Sequence, residues 1–203
     1  MNSTGVILAG GSSRRMGRDK LQLKIGDVPL LERVCNALAS CCEELIVVGG
    51  EGNTPARARR ISDLRYPGEG PLAGIEAGLW SARHRSVFVA AGDMPFLARE
   101  LVEYLLGLLS DDVLAAVPSL RGRRHPLCAA YGRELRSTVS AVLDQGVRSV
   151  REMLGELPGV RYVGEGELRW FGEPNLLLMN VNSPADLEQA ETTVRNAFFR
   201  REE

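Results

Sequence analysis

Three short apolar runs separated by helix-period stretches limit what this chain can fold into. Thr4–Leu8 (TGVIL), Glu44–Gly49 (ELIVVG) and Ser86–Ala91 (SVFVAA) read as strands. The third is nearly continuous in its apolar character, as expected of a strand buried on both faces. Between the first two, Pro29 suits the first turn of a helix. Leu30, Leu31, Val34, Leu38 and Cys41 then recur at helical spacing. This is β-α-β, with a crossover long enough to make the strand pair parallel. Gly70–Arg83 reads as a loop running into a helix with Leu72, Ile75, Leu79 and Trp80 on one side. Leu97–Leu109 is a further amphipathic helix and Val113–Val117 a fourth strand. Alternation of this kind over residues 1–117 predicts an α/β fold, a doubly wound, Rossmann-like, mostly parallel sheet with helices on both faces. In such sheets ligands collect beyond the carboxyl ends of the strands.

The first strand delivers the chain into Leu8–Lys20, LAGGSSRRMGRDK. Gly10 and Gly11 let backbone amides approach an anion closely, and successive amides in such a turn form an anion-binding concavity. Arg14, Arg15, Arg18 and Lys20 surround it with positive charge. The combination suits a polyphosphate. It is not a P-loop, because Gly17 is followed by Arg18-Asp19-Lys20-Leu21 rather than Lys and Ser or Thr. Nor is it a G-x-G-x-x-G dinucleotide loop, because Gly10 and Gly11 are adjacent. Gly68-Glu69-Gly70-Pro71-Leu72-Ala73 matches that dinucleotide pattern by letter, but no apolar strand precedes it.

The 203 residues, 44% of them hydrophobic, suffice for one substantial core, so residues 1–203 read as one domain. A net charge of -1 argues against nucleic acid as a partner. Cys35, Cys41, Cys42 and Cys128 show neither a C-x-x-C pair nor metal-ligand spacing. Cys35 falls in an apolar helical pattern and Cys128 in a strand, so packing is the expected role of both. No signal-peptide pattern and no apolar run of about 18 residues is present. The expectation is a cytoplasmic protein with no membrane partner.

The later chain is less regular. Leu21–Ile25 reads as extended and Gly26-Asp27 as a turn. Leu120–Arg124 reads as an arginine-rich hairpin or loop, and Pro126–Tyr131 as a strand. Glu134–Gln145 and Val150–Leu157 look helical, Val160–Val163 extended, and Gly164–Pro174 a mobile loop. Leu176–Asn182 reads as a final strand, followed by a helix over Pro184–Phe199 with Ser183 as its N-cap. Alternation along that strand would put the Asn180 and Asn182 carboxamides on one face. Asp93, directly after a buried strand, could cap the next helix or hold a cation. Mg²⁺ uses one or two carboxylates together with substrate phosphates.

The string L-A-G-G-x-S-x-R-M-G-x-D-K resembles the signature of the molybdenum cofactor guanylyltransferases, within the sugar-nucleotide-type nucleotidyltransferases. Gly70-Pro71-Leu72-Ala73-Gly74, Gly92-Asp93-Met94-Pro95, His125-Pro126-Leu127 and Asn180-Val181-Asn182-Ser183-Pro184 extend the resemblance in the family's order. It implies transfer of GMP from GTP to the terminal phosphate of Mo-molybdopterin, with Mg²⁺ as cofactor. Cytidylyl transfer to the same cofactor is the nearest alternative, and relatives of that kind usually read L-A-A-G. A binding or delivery protein without activity is a rival from another class. Molybdenum-insertion and molybdoenzyme-maturation proteins are candidate partners. The resemblance assigns GTP binding to Leu8, Ala9, Gly10, Gly11, Lys20, Asp63, Gly70, Pro71, Leu72 and Asp93. It assigns catalysis to Lys20, Arg15 and Asp93, and the metal to Asp93 and Asn182. The acceptor falls to His125, Asn180 and Asn182, with Arg121, Arg123 and Arg124 nearby. Residues 1–117 would be the nucleotide-binding part, and 118–203 the acceptor-binding and closing part. Members often carry an Asn near the end of the second strand, where this chain has Gly49-Gly50; Asn53 is a nearby substitute for reading guanine.

Overall fold

The computed structural model describes residues 2–10, 20–63 and 65–199. In chain order it contains β1 (Ser3–Leu8), a 3₁₀ turn at Lys20–Gln22, β2 (Lys24–Ile25), β3 (Val28–Pro29), α1 (Leu30–Ala39), β4 (Glu44–Val48), β5 (Arg59–Ile61) and α2 (Pro71–Ser81). There follow β6 (Ser86–Ala91), α3 (Arg99–Gly107), β7 (Ala115–Leu120), β8 (Arg123–Arg124), β9 (Cys128–Gly132), α4 (Arg136–Asp144) and α5 (Val150–Glu156). The chain closes with β10 (Val160–Val163), α6 (Glu165–Leu168), α7 (Pro174–Leu177) and α8 (Pro184–Phe199).

The two-residue period of the strands divides the core between the faces of the sheet. Ile7 of β1 and Phe88 of β6 pack with Leu31, Val34 and Leu38 of α1 and Leu101 and Leu105 of α3. Their neighbours Val6, Val87 and Val89 face the other way, onto Leu72, Ile75 and Leu79 of α2 and Val139 and Val142 of α4. Burying a side chain such as Phe88, which is 0% exposed, contributes about 1.5–3 kcal/mol. A smaller cluster, Ile25, Leu30, Val181 and Ala190, fixes α8 beside the β2–β3 hairpin. Cys35 and Cys128 are buried in the first of these layers, as their sequence surroundings suggest.

The strand order is β10-β7-β9-β6-β1-β4-β5, with β8 paired to β7. β1 pairs in parallel with both β4 and β6. The chain therefore steps to one side of β1 and then to the other, so the strand order reverses there and opens a crevice beyond Leu8. β9 is inserted antiparallel between β6 and β7, which makes the sheet mixed and brings a late segment beside the central strands.

Several local expectations give way. Leu176–Asn182 is not a strand: Pro174 occupies the first turn of α7, and irregular chain follows. Gly164–Pro174 contains α6, and Trp170 and Phe171 pack around Tyr104 with ring centroids 6.1 and 5.1 Å away. Lys20–Gln22 forms a 3₁₀ turn before the short extended pair. Trp80 lies 43% exposed rather than in the core, with its indole N–H donated to Ser140 Oγ at 3.1 Å and Arg136 4.7 Å over its ring.

Candidate functional site

Beyond the carboxyl ends of β1 and β6 lies a cleft of about 450 Å³. Leu8, Ala9 and Gly10 form its floor, Asp63, Gly70 and Pro71 one wall, and Lys20, Asp93, Asn180 and Asn182 another. The floor is tied into the sheet: Ala9 N–H donates to Val48 O at 2.9 Å, and Gly92 N–H to Leu8 O at 3.0 Å. Asp63 is held by Gly68 N–H, donated to its Oδ2 at 3.0 Å. Leu72, assigned to the nucleotide from sequence, is 0% exposed and points from α2 into the core beside the sheet. Gly11 and Arg15 lie outside the described residues.

Asp93, Lys20, Asn180 and Asn182 meet. Lys20 Nζ lies 2.5 Å from Asp93 Oδ2 and donates to Asn182 Oδ1 at 2.9 Å. Asn180 Nδ2 donates to the other carboxylate oxygen, Oδ1, at 2.6 Å. The Lys20 and Asp93 side chains are only 20% and 11% exposed, so solvent screens this pair less than one at the surface. The irregular chain after α7 makes the arrangement, not strand alternation. Val181 N–H donates to Asp93 O at 3.0 Å. Asp186 then accepts from Asn182 N and Ser183 N at 2.9 and 2.8 Å, and the Asn182 backbone N–H leads the groups holding that carboxyl below its usual range. Ser183 caps α8 by accepting from Asp186 N–H at 3.2 Å, as expected from sequence.

Asp93 Oδ2 and Asn182 Oδ1 converge on one position, held by the Lys20 ammonium. Two hard oxygens, one of them charged, fit Mg²⁺ when substrate phosphates and water supply the remaining ligands. Among the described residues no cluster of three or more His, Cys, Asp or Glu forms a complete metal cage.

A second cleft, of about 310 Å³, is lined by His125, Arg123, Arg124, Arg148, Ser149 and Arg151, among others. Pro71, Arg123, Leu127 and Asn180 line both clefts. Burial, then Arg123 and Arg151, lower the His125 pKa from 6.5 to about 4, so its imidazole is neutral at physiological pH. Arg148 and Arg151 are contributions that sequence reading missed. They flank the start of α5, and only the packing of that helix brings them beside His125. Gly49 and Gly50 have φ of 69° and 68°, and a Cβ on Gly50 would stand 2.7 Å from Ala9 O. That crowding keeps a side chain off Gly50, and neither glycine lines the cleft. Asn53 is exposed, does not line the cleft, and engages Arg60 through its carbonyl at 3.5 Å.

Residues 5–160 match the MobA-like NTP transferase domain. The chain is 32% identical to a molybdenum cofactor guanylyltransferase of Desulfosudis oleivorans, over 95% of this chain and 96% of that one. It is 35% identical to a probable molybdenum cofactor guanylyltransferase of Pelotomaculum thermopropionicum, over 97% and 96%. Among solved structures, the molybdopterin-guanine dinucleotide biosynthesis protein A of Archaeoglobus fulgidus superposes with a TM-score of 0.81 at 28% identity, covering 95% of this chain and 99% of that one. A 2-C-methyl-D-erythritol 4-phosphate cytidylyltransferase of Thermus thermophilus shares the fold at a TM-score of 0.72 and 22% identity, covering 96% and 100%.

Proposed function

The chain belongs to the MobA-like NTP transferase family, and from that premise we propose that it transfers GMP from GTP to the terminal phosphate of Mo-molybdopterin, releasing pyrophosphate. The observation that carries this reading is the pairing of two clefts across one wall: a carboxylate–lysine–carboxamide cluster on one side, arginines on the other.

GTP lies over Leu8, Ala9 and Gly10, between Asp63 and the Gly70-Pro71 turn. Its phosphates draw Lys20, a compact point charge suited to phosphate oxygens. Asp93 and Asn182 would hold Mg²⁺, which would supply neutralisation of phosphate charge. The acceptor phosphate lies among the arginines of the second cleft. One of its oxygens attacks the α-phosphorus, a new P–O bond forms, and the bond to the departing pyrophosphate breaks with its electron pair. The second pKa of a phosphate monoester is about 6, so the nucleophile needs no protein base at neutral pH. A neutral His125 suits hydrogen bonding to the acceptor.

The test is heat stability in Mg²⁺ with GTP or CTP at equal concentration. A nucleotide at a hundredfold excess over Kd adds about 2.7 kcal/mol. GTP is expected to give the larger shift; an equal or larger shift with CTP would move the reading to cytidylyl transfer.

A further inference from the structure

Of the four residues shared by both clefts, only Arg123 carries charge. It is presented by a tight hairpin. Arg121 and Gly122 have φ of 49° and 75°, the left-handed pair that a two-residue turn needs, and the register sets Leu120 opposite Arg123 and Ser119 opposite Arg124. Successive residues of β8 point to opposite sides. Arg124 is drawn onto Tyr162, its guanidinium carbon 4.5 Å from the ring centroid.

The cleft arginines differ in how far they are committed. Arg148 is bound to Glu69 at 2.6 Å and to the carbonyls of Leu143 and Val147 at 2.8 and 3.1 Å. Among the described residues the Arg123 and Arg151 side chains make no hydrogen bond or ion pair, but Arg151 borders only the acceptor cleft. Arg123 is thus an uncommitted guanidinium standing where the two substrates meet.

Resting on the reaction proposed above, we infer that Arg123 bridges the reacting phosphates, donating at once to the acceptor phosphate and to the α-phosphate of the nucleotide. Both groups are anionic, and in-line attack requires the reacting atoms to approach within about 3–3.5 Å. A cation on the dividing wall offsets that repulsion at the point of contact. The planar fork offers five N–H donors, enough for oxygens of two phosphates, whereas a lysine offers a single charged centre. No proton moves in this step.

Calorimetry separates a bridge from a simple acceptor contact. Molybdopterin affinity is measured with and without a saturating GTP analogue whose α,β-bridging oxygen is replaced by methylene. The wild type should bind molybdopterin at least as well with the analogue present. Arg123→Ala should still bind the analogue alone to saturation, more weakly for want of one α-phosphate donor, and that binding also reports a folded nucleotide cleft. With the analogue bound, it should lose about 5–150-fold more molybdopterin affinity than it loses without it, the usual span of coupling between sites. Turnover should fall by about 10²–10³-fold, and Arg123→Lys should recover only part of both losses. An equal loss of molybdopterin affinity in both conditions would make Arg123 an acceptor contact only and overturn the bridge. No change in either condition would make it a bystander. Failure of the wild type to bind either ligand would instead remove the underlying reaction, and this inference with it.

Discussion

The two clefts share a wall but differ in the charges they present. The nucleotide cleft contains both signs: Asp63 and Asp93 with Lys20 and Arg123. The acceptor cleft is lined by four arginines and a neutral histidine, with no carboxylate among its lining residues. A carboxylate in a phosphate site is repulsive unless a further cation accompanies the ligand, so the first cleft suits a polyphosphate that arrives with Mg²⁺. The second suits a group that brings only negative charge. On the proposed function the reaction would join two anions neutralised differently, one by a metal and a lysine, the other by guanidinium groups.

Asp93→Asn should break this difference most severely. It keeps the side-chain shape but removes one of the two negative charges that separate the clefts, the one that faces Lys20. Turnover in Mg²⁺ should fall by about 10³-fold, the upper end for a single electrostatic group, with the thermal unfolding midpoint little changed. Turnover near the wild-type rate would remove Asp93 from the metal site.

Lys20→Met should cost about 10²-fold in turnover. It also tests the observation that the ammonium stands between Asp93 Oδ2 and Asn182 Oδ1. With the lysine gone, Mn²⁺ alone should bind the nucleotide-free protein more tightly than it binds the wild type, as read by electron paramagnetic resonance of the free ion. Weaker Mn²⁺ binding would show that the two oxygens do not form a cation position.

His125→Asn sharpens the other side with a smaller effect. The acceptor KM should rise while saturated turnover stays within about tenfold, below the 10²–10⁴-fold range of a general base. Stability should respond as well. The folded pKa, about 4, lies below the ordinary 6.5. The neutral imidazole therefore contributes stability that is fully present above 6.5 and is lost as pH falls toward 4. The variant should lose that pH dependence, measured by denaturant unfolding at pH 4.5 and 7. An unchanged slope with pH would place His125 in a more open environment.

Legibility in the sequence follows the same division. β1, β4 and β6 announce themselves because both faces are buried, leaving almost no polar residue to interrupt the run. β5 carries Arg59 and Arg60, since an edge strand can let such side chains out to Glu44 and Thr54, and it went unread. Leu176–Met179 is too short for periodicity to separate helix from strand, and Pro174 tips it into α7. Strand alternation predicts only that the Asn180 and Asn182 carboxamides share a face, and there is no strand; the backbone bond from Val181 to Asp93 brings both beside Asp93. Trp80 fits the spacing of a buried helix face, but its N–H needs a partner, which Ser140 supplies at the surface. Arg148 and Arg151 reach His125 only through tertiary packing, which leaves no periodic trace.

The central claim is that a guanylyl group crosses from the first cleft to the second. It is tested most directly by incubating the protein with Mg²⁺, molybdopterin and equal concentrations of GTP and CTP, then identifying the dinucleotide and counting the pyrophosphate. The account predicts molybdopterin guanine dinucleotide as the main product, with one pyrophosphate per product and no release without molybdopterin. A predominantly cytosine product, or pyrophosphate released at the same rate without the acceptor, would contradict it.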